Sequence, residues 1–98
     1  MATEYIDLDH AGVVLKEEFL DPLKISQNQL AMAAGVPKSR ISEIIHGKRR
    51  ITAETGMRIS RSLGMSDGFF YGLQVKYDNR IAAQSLENVV IVKLKSAA

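Results

Sequence analysis

The sequence predicts an all-α fold of five helices that ends in a short β-strand or an extended tail. Two observations support this fold class. Apolar side chains recur every three or four residues through most of the chain, which is the spacing of one buried helix face. Between these runs stand glycines, prolines and hydroxyl-bearing residues, the types that begin and end helices. Only residues 88–94, NVVIVKL, form a β-branched run typical of a strand.

The second predicted helix, residues 27–34, has the clearest boundaries. Ser26 is predicted to be its N-cap, and Gln29 stands three residues later, where it completes a capping box. Gly35 suits the left-handed residue that closes a helix. We place the other helices at residues 12–21, where Pro22 ends or kinks the chain, at 37–46, at 53–63 after Thr52, and from Ser66 and Asp67 into the 80s.

The second and third helices have the spacing of a helix-turn-helix. The small residues Ala31 and Ala34 permit close approach of the two helices, and Gly35 permits a tight turn. Ile41 and Ile44 would then pin the third helix across the second. This arrangement presents the opposite face of the third helix to a partner.

The third helix carries polar side chains opposite Ile41, Ile44 and Ile45. Its short serines would let the backbone enter a DNA major groove about 12 Å wide, where arginine can bond guanine and glutamate can accept from cytosine. We predict base contacts by Lys38, Ser39, Arg40, Ser42 and Glu43. A helix N-terminus and a basic run both suit phosphate, and we predict phosphate contacts by Gln27, Asn28, Lys48, Arg49 and Arg50.

Charge is distributed unevenly along the chain, whose 98 residues fit a single domain, residues 1–98. The net charge is only +2, but residues 36–61 carry seven basic and two acidic side chains, a formal charge of +5. Residues 1–35 carry −4. A basic segment of this kind suits a polyanion such as DNA, although a solvated surface would have the same composition.

Several function classes find no support in the sequence. The chain has no cysteine, which excludes a disulfide framework and cysteine-based zinc. His10 and His46 are isolated, and no glycine-rich phosphate loop is present, so we expect no enzyme, metal or cofactor. No apolar run approaches the roughly 18 residues of a membrane span. The acidic N-terminus is unlike a signal peptide, and we expect a cytoplasmic protein.

Three segments of the chain resemble one known family. GVVLKEEFLDPLKIS, HGKRRITAETGMRISRSLG and FFYGLQVKYD, with the helix-turn-helix between the first two, resemble the HigA (VapI-like) antitoxins of the lambda-repressor-like (XRE/Cro) helix-turn-helix family. The resemblance covers about residues 9–80. Phe70 stands where the family pattern has tryptophan, Gly72 where it usually has asparagine, and Ala11 where proline is frequent.

The resemblance implies a bacterial homodimer with two partners. Such antitoxins bind a palindromic operator of their own operon and neutralise a toxin that is typically a RelE-like, ribosome-dependent mRNA endonuclease. The helix-turn-helix core, residues 26–47, would carry the DNA role. The acidic N-terminal region is a candidate surface for a basic toxin.

Dimerisation is predicted for residues 66–98. Four apolar side chains of the fifth helix offer more area than one small core needs, and we predict them as the dimer interface: Phe69, Phe70, Leu73 and Tyr77. The run at 88–94 would add strand pairing, because a lone strand is unstable in water.

Two alternatives to an antitoxin remain open from the sequence. One is a stand-alone transcriptional repressor of the same superfamily, and the other is an interaction module in which the helix pair contacts only protein. A neighbouring reading frame of toxin size would separate the antitoxin from the first alternative. Salt-sensitive binding to the chain's own promoter would exclude the second.

Overall fold

The structure, a computed structural model, describes residues 9–95 and contains five helices within that range. They are α1 (residues 11–23), α2 (Gln27–Ala34), α3 (Lys38–Ile45), α4 (Ala53–Ser62) and α5 (Phe69–Ser85). The predicted all-α class and its five helices are confirmed. None of these helices combines the length and apolar character needed to span a membrane.

Helix α1 runs two residues past its predicted end. Pro22 does not stop it: the helix continues to Leu23, and Lys24 ends it with a left-handed φ of 57°. The turn before the proline is π-helical, with the Asp21 N–H bonded to the Lys16 carbonyl five residues back. The donor that Pro22 lacks therefore falls where one hydrogen-bonding pattern gives way to another.

The hydrophobic core lies where α1, α2, α3, α4 and the first half of α5 meet. Its fully buried large side chains come from every helix and from the α3–α4 loop: Leu15, Leu30, Ile41, Ile44, Ile51, Ile59 and Phe70. The predicted inner faces of α2 and α3 are buried, as expected. Met57 of α4 is exposed, because α4 packs on α5 through the small residues Gly56 and Ser60 instead.

Two of three predicted helix N-caps are present, those of α2 and α4. The capping box of α2 is present, with Ser26 Oγ accepting from the Gln29 N–H at 3.0 Å and the Ser26 N–H donating to Gln29 Oε1 at 2.8 Å. Thr52 caps α4 as predicted. The prediction that Ser66 and Asp67 cap α5 is wrong. That helix begins at Phe69 after Gly68, and Asp67 pairs with Arg61 instead.

The C-terminal segment has no strand structure. Within the described part of the chain no strand is present, and residues 89–94 form neither helix nor strand. Their apolar side chains are exposed, Val90 to 88%. Of the two predicted forms, the structure therefore has the tail, because a strand needs a neighbouring strand to bond its backbone and residues 9–95 offer none.

Candidate nucleic-acid interface

A tight turn joins α2 to α3. Gly35 has a φ of 68°, and both its N–H and the Val36 N–H bond the Ala31 carbonyl, the latter at 3.0 Å. Gly35 is therefore the left-handed closing residue that the sequence predicts. Helix α3 begins at Lys38, one residue later than predicted, because Pro37 has an extended ψ of 140° and serves as the N-cap.

The buried side of α3 rests directly on the backbone of α1. A Cβ added to Gly12 would lie 1.9 Å from the Ile44 carbonyl oxygen, so only glycine permits this contact. His10 begins α1 by accepting the Gly12 N–H on Nδ1 at 3.1 Å. Its ring also lies over Gly47, whose added Cβ would be 2.9 Å from His10 Nε2. The contacts at Gly12 and at Gly47 therefore both fix α3 on its buried side.

The five predicted base-contacting residues occupy the positions of α3 before and between its buried isoleucines. Lys38 and Ser39 are exposed, and the other three, Arg40, Ser42 and Glu43, are half-buried. Ile41, Ile44 and Ile45 are buried. The structure thus buries the isoleucine side of α3, as the helical periodicity predicts, and leaves the predicted base-contacting residues exposed or half-buried.

Glu43 has a partner of its own. Its Oε1 accepts a hydrogen bond from Arg49 Nε at 2.7 Å, and both side chains are about half exposed. From the sequence, Glu43 is predicted to contact bases and Arg49 is predicted to contact phosphates, independently of each other. In the structure they form one ion pair, so a cytosine that uses the Glu43 carboxylate competes with Arg49.

The guanidinium of Arg40 has one nitrogen without a hydrogen-bond partner in residues 9–95. Its Nε is buried and finds no hydrogen-bond acceptor among the described residues. Buried donors are rarely left unpaired, because the loss of hydration is then uncompensated.

The predicted phosphate contacts flank α3. Gln27 is half-buried and Asn28 is exposed at the start of α2, and Asn28 makes only a weak 3.8 Å contact to Met32 Sδ. After α3, Lys48 is exposed and forms no ion pair within residues 9–95. Arg49 and Arg50 are exposed as well, but each already contacts a carboxylate.

His46 serves α3 itself. His46 is the C-cap of this helix, and its Nδ1 lies 2.8 Å from the Ser42 carbonyl oxygen in the last turn. Over residues 9–95 no three metal-ligating side chains of the His, Cys, Asp or Glu types come together.

Three residues that support the helix-turn-helix and the loop after it have no role predicted from the sequence. Gln74 and Asp78 of α5 bond the loop after α3, through the Ile51 N–H and the Arg50 guanidinium respectively. Arg58 of α4 donates to the Ala34 carbonyl at 3.2 Å and so closes the end of α2. The first two belong to the LQ-x-x-YD segment, which marked the family resemblance. The contacts of all three residues join positions far apart in the sequence, so no local sequence pattern predicts them.

The predicted dimer interface is only partly accessible. Phe70 has an exposed fraction of 0% and must be removed from it, because its ring fills the protomer's own core against Phe19. Phe69 and Leu73 are half-buried against the same core. Tyr77 is half-buried too, with its ring edge-on to His10 at a centroid distance of 6.4 Å.

Comparison with known sequences agrees with this geometry. A family described as helix-turn-helix matches residues 15–70. The virulence-associated protein I of Dichelobacter nodosus is 37% identical over 83 residues, which cover 85% of this chain and 77% of that protein. The antitoxin HigA-1 of Vibrio cholerae is 34% identical over 67 residues, covering 68% of this chain and 63% of that protein.

Solved structures with the same fold include DNA complexes. The Pseudomonas aeruginosa antitoxin HigA with the higBA promoter matches with a TM-score of 0.77 and 27% identity, over 92% of this chain and 98% of that one. A Pseudomonas aeruginosa protein in complex with its 18 bp operator DNA gives 0.82 and 28%, over 90% and 96%. A Coxiella burnetii addiction module antidote of the HigA family gives 0.74 and 34%, over 87% and 97%. The chain therefore belongs to the helix-turn-helix family and, within it, to the group of HigA- and VapI-like antitoxins.

Proposed function

We propose that this chain is a DNA-binding antitoxin that represses its own operon by inserting α3 into the major groove. One observation carries the proposal: α3 is fixed from behind by the Gly12 contact, while its polar face and the basic loop after it point away from the core. The two operator- and promoter-bound relatives share this fold and support the same use of it. Membership of a family of DNA-binding regulators agrees with the prediction that the chain is not an enzyme.

Base recognition is assigned to the outward face of α3. Lys38, Ser39, Arg40, Ser42 and Glu43 would face base edges. Arg40 is the strongest candidate, because a guanidinium can bond guanine in two places. Phosphate contacts are assigned to Gln27 and Asn28 at the start of α2 and to Lys48, Arg49 and Arg50 after α3.

Fluorescence anisotropy with a labelled duplex from upstream of the gene tests this proposal. We expect Arg40→Ala to weaken binding roughly tenfold or more, the usual cost of a lost bidentate base contact. Arg61→Ala, which removes the same charge from α4, is the matched control and should change affinity less than about twofold. Salt-independent binding by the wild type, or equal affinities of the two variants, would contradict the assignment.

The number of phosphate contacts sets the salt dependence. With the three cations Lys48, Arg49 and Arg50 on phosphates, the logarithm of the binding constant should fall with the logarithm of salt concentration with a slope of about −3 per bound protomer. Lys48→Ala should reduce that slope by about one and weaken binding to all sequences alike. A slope unaffected by this change would remove Lys48 from the interface.

We propose a homodimer that reads two half-sites about 34 Å apart. The apolar side chains that the protomer leaves partly or fully exposed on α5 support this state, among them Phe69, Leu73, Tyr77 and Ile81. Light scattering should give twice the chain mass. A monomer at tens of micromolar would remove the two-half-site arrangement.

We propose that the second partner is a RelE-like mRNA endonuclease toxin in the bacterial cytoplasm. Two relatives are named antitoxins of the HigA type, and Glu17 and Glu18 form an exposed acidic pair on α1 that suits a basic protein. A small basic protein encoded next to this gene should co-purify with the chain. Replacing both glutamates by lysine should abolish that capture and leave the α3 side of the chain intact.

The absence of a neighbouring toxin gene would favour a stand-alone repressor instead. Absence of DNA binding together with capture of a protein would favour the interaction module. The three functions are therefore separated by two observations, operator binding and toxin capture.

A further inference from the structure

Two side chains of α5 hold the loop that follows α3. The Ile51 N–H donates to Gln74 Oε1 at 2.8 Å, and Asp78 Oδ2 lies 2.6 Å from an Arg50 guanidinium nitrogen. Gln74 Nε2 donates to Asp78 Oδ1 at 3.1 Å and so joins the two contacts. Since Gln74 and Asp78 lie one helical turn apart, α5 grips two consecutive loop residues at once.

The Gln74 contact fixes the path of the loop backbone. Gln74 is only 6% exposed and Ile51 is fully buried, so the Ile51 N–H has no access to water. Without the Gln74 acceptor this N–H would be a buried unsatisfied donor, which is costly. The chain therefore has to pass this point in the position that α5 dictates, immediately after Arg50.

The Asp78 contact fixes the side chain that precedes it. Asp78 is one-third exposed and Arg50 is 56% exposed, so the pair sits at the edge of the protein with the guanidinium facing outward. A guanidinium has five N–H donors in a planar fork, and the carboxylate occupies only one side of it. The remaining donors of Arg50 make no other hydrogen bond within the described residues and are available to an anion.

We propose that Gln74 and Asp78 are positioning residues for DNA binding, which hold Arg50 so that its remaining N–H groups meet a backbone phosphate. The inference rests on the proposed DNA-binding function and extends it to α5, outside the helix-turn-helix core. An arginine that is already held loses less side-chain freedom when it binds than one that is free. Asp78 therefore strengthens binding to a polyanion even though it is itself negative.

The inference predicts that Asp78→Asn changes DNA affinity in the direction opposite to that expected from charge alone. Asp78→Asn adds one positive charge to the protein, so simple electrostatics predicts tighter DNA binding. Asp67→Asn adds the same charge and also releases an arginine from an exposed ion pair, that of Arg61 at 2.8 Å, so it is the matched control. Affinities and salt slopes would be measured by anisotropy with the duplex from upstream of the gene, after thermal denaturation has shown that each variant is folded.

We expect Asp78→Asn to bind about threefold to tenfold more weakly than Asp67→Asn, and its salt slope to fall by about one, as for a lost phosphate contact. A purely structural role would not change that slope. In a double-mutant cycle, Asp78→Asn should add nothing to the loss caused by Arg50→Ala, because both remove the same contact. Equal affinities of Asp78→Asn and Asp67→Asn, or additive losses in the cycle, would overturn the inference.

A second variant leaves α5 untouched. Arg50→Lys keeps the charge, but one ammonium cannot serve a carboxylate and a phosphate with the planar fork of arginine, so we expect binding as weak as that of Asp78→Asn. Wild-type affinity in Arg50→Lys would overturn the inference even if Asp78→Asn proved unfolded. Failure of the wild type to bind DNA would refute the proposed function itself, a result that these variants cannot produce.

Discussion

The two halves of α5 differ in what surrounds them. In the first half Phe70 is fully buried and Gln74 nearly so, because the helix packs there against α4 and α1. In the second half Ile81 is 43% exposed, and the exposed tail at 89–94 follows. Helical spacing groups Phe70 and Ile81 on one apolar stripe, yet only Phe70 meets the core. The neighbouring helices thus decide which side chains of the stripe are buried. The second half of α5 keeps exposed apolar surface that a second copy of the chain could cover.

The largest effect expected from this difference is on stability. Phe70→Ala should lower the free energy of unfolding by about 3–5 kcal/mol, since it removes a buried ring and leaves a cavity. Ile81→Ala should cost less than about 1 kcal/mol, because the side chain is already half in water. Urea denaturation of both variants measures the contrast, and similar losses would mean that the two halves of α5 are equally supported.

Truncation after Glu87 is expected to separate stability from association. The tail contacts little of the protomer, so unfolding at low protein concentration should be nearly unchanged. If the tail pairs with a second copy, the dimer dissociation constant should rise, because two β-branched strands lose their mutual backbone bonds. Sedimentation or light scattering across a dilution series measures this, and an unaltered dimer mass would refute strand pairing by the tail.

Gly72→Ala tests whether the outer face of the first half is covered. A Cβ at this helical position would meet no atom of the protomer. Alanine is favoured over glycine in a helix by about 1 kcal/mol, so the melting temperature should rise by about 4–8 °C. A fall would show that a second copy packs closely against this face.

The smallest expected effect is pH dependence at the start of α5. The hydrogen bond from Arg61 lowers the pKa of Asp67 below its ordinary value. A carboxylate whose pKa is lowered by folding adds stability above its unfolded pKa, and this stability is lost as the pH falls through the folded value. Wild type should therefore lose slightly more stability than Asp67→Asn between pH 5 and pH 2. Because both side chains are largely exposed, the difference in melting temperature should be small.

The helix-turn-helix could be predicted in detail because its signals are local. Ser26 and Gln29 bond each other across three residues, and Gly35 closes α2 through its own backbone. Ile41 and Ile44 follow from periodicity alone. Helix ends, caps and inner faces between residues 26 and 47 were therefore accessible without tertiary information.

The contacts that complete the interface were not accessible, because they join distant positions. The bond between Ile51 and Gln74 spans 23 residues, and the pair of Glu43 with Arg49 forms around the end of a helix. The burial of Phe70 depends on Phe19, which lies on another helix. Sequence patterns give the side that a residue occupies on its own helix, whereas these contacts depend on how the helices are stacked.

The Gly12 contact has a consequence for how binding specificity can change. The orientation of α3 is set by a backbone-to-backbone contact on its rear side, where no side chain intervenes. Ser39, Arg40 and Ser42 are not part of that contact, so in the proposed DNA complex substitutions there would change the side chains offered to the groove and leave the angle of the helix unchanged. If α3 binds DNA as proposed, this fold would keep the orientation of the recognition helix while its outward side chains change, and with them the operator sequence that it binds.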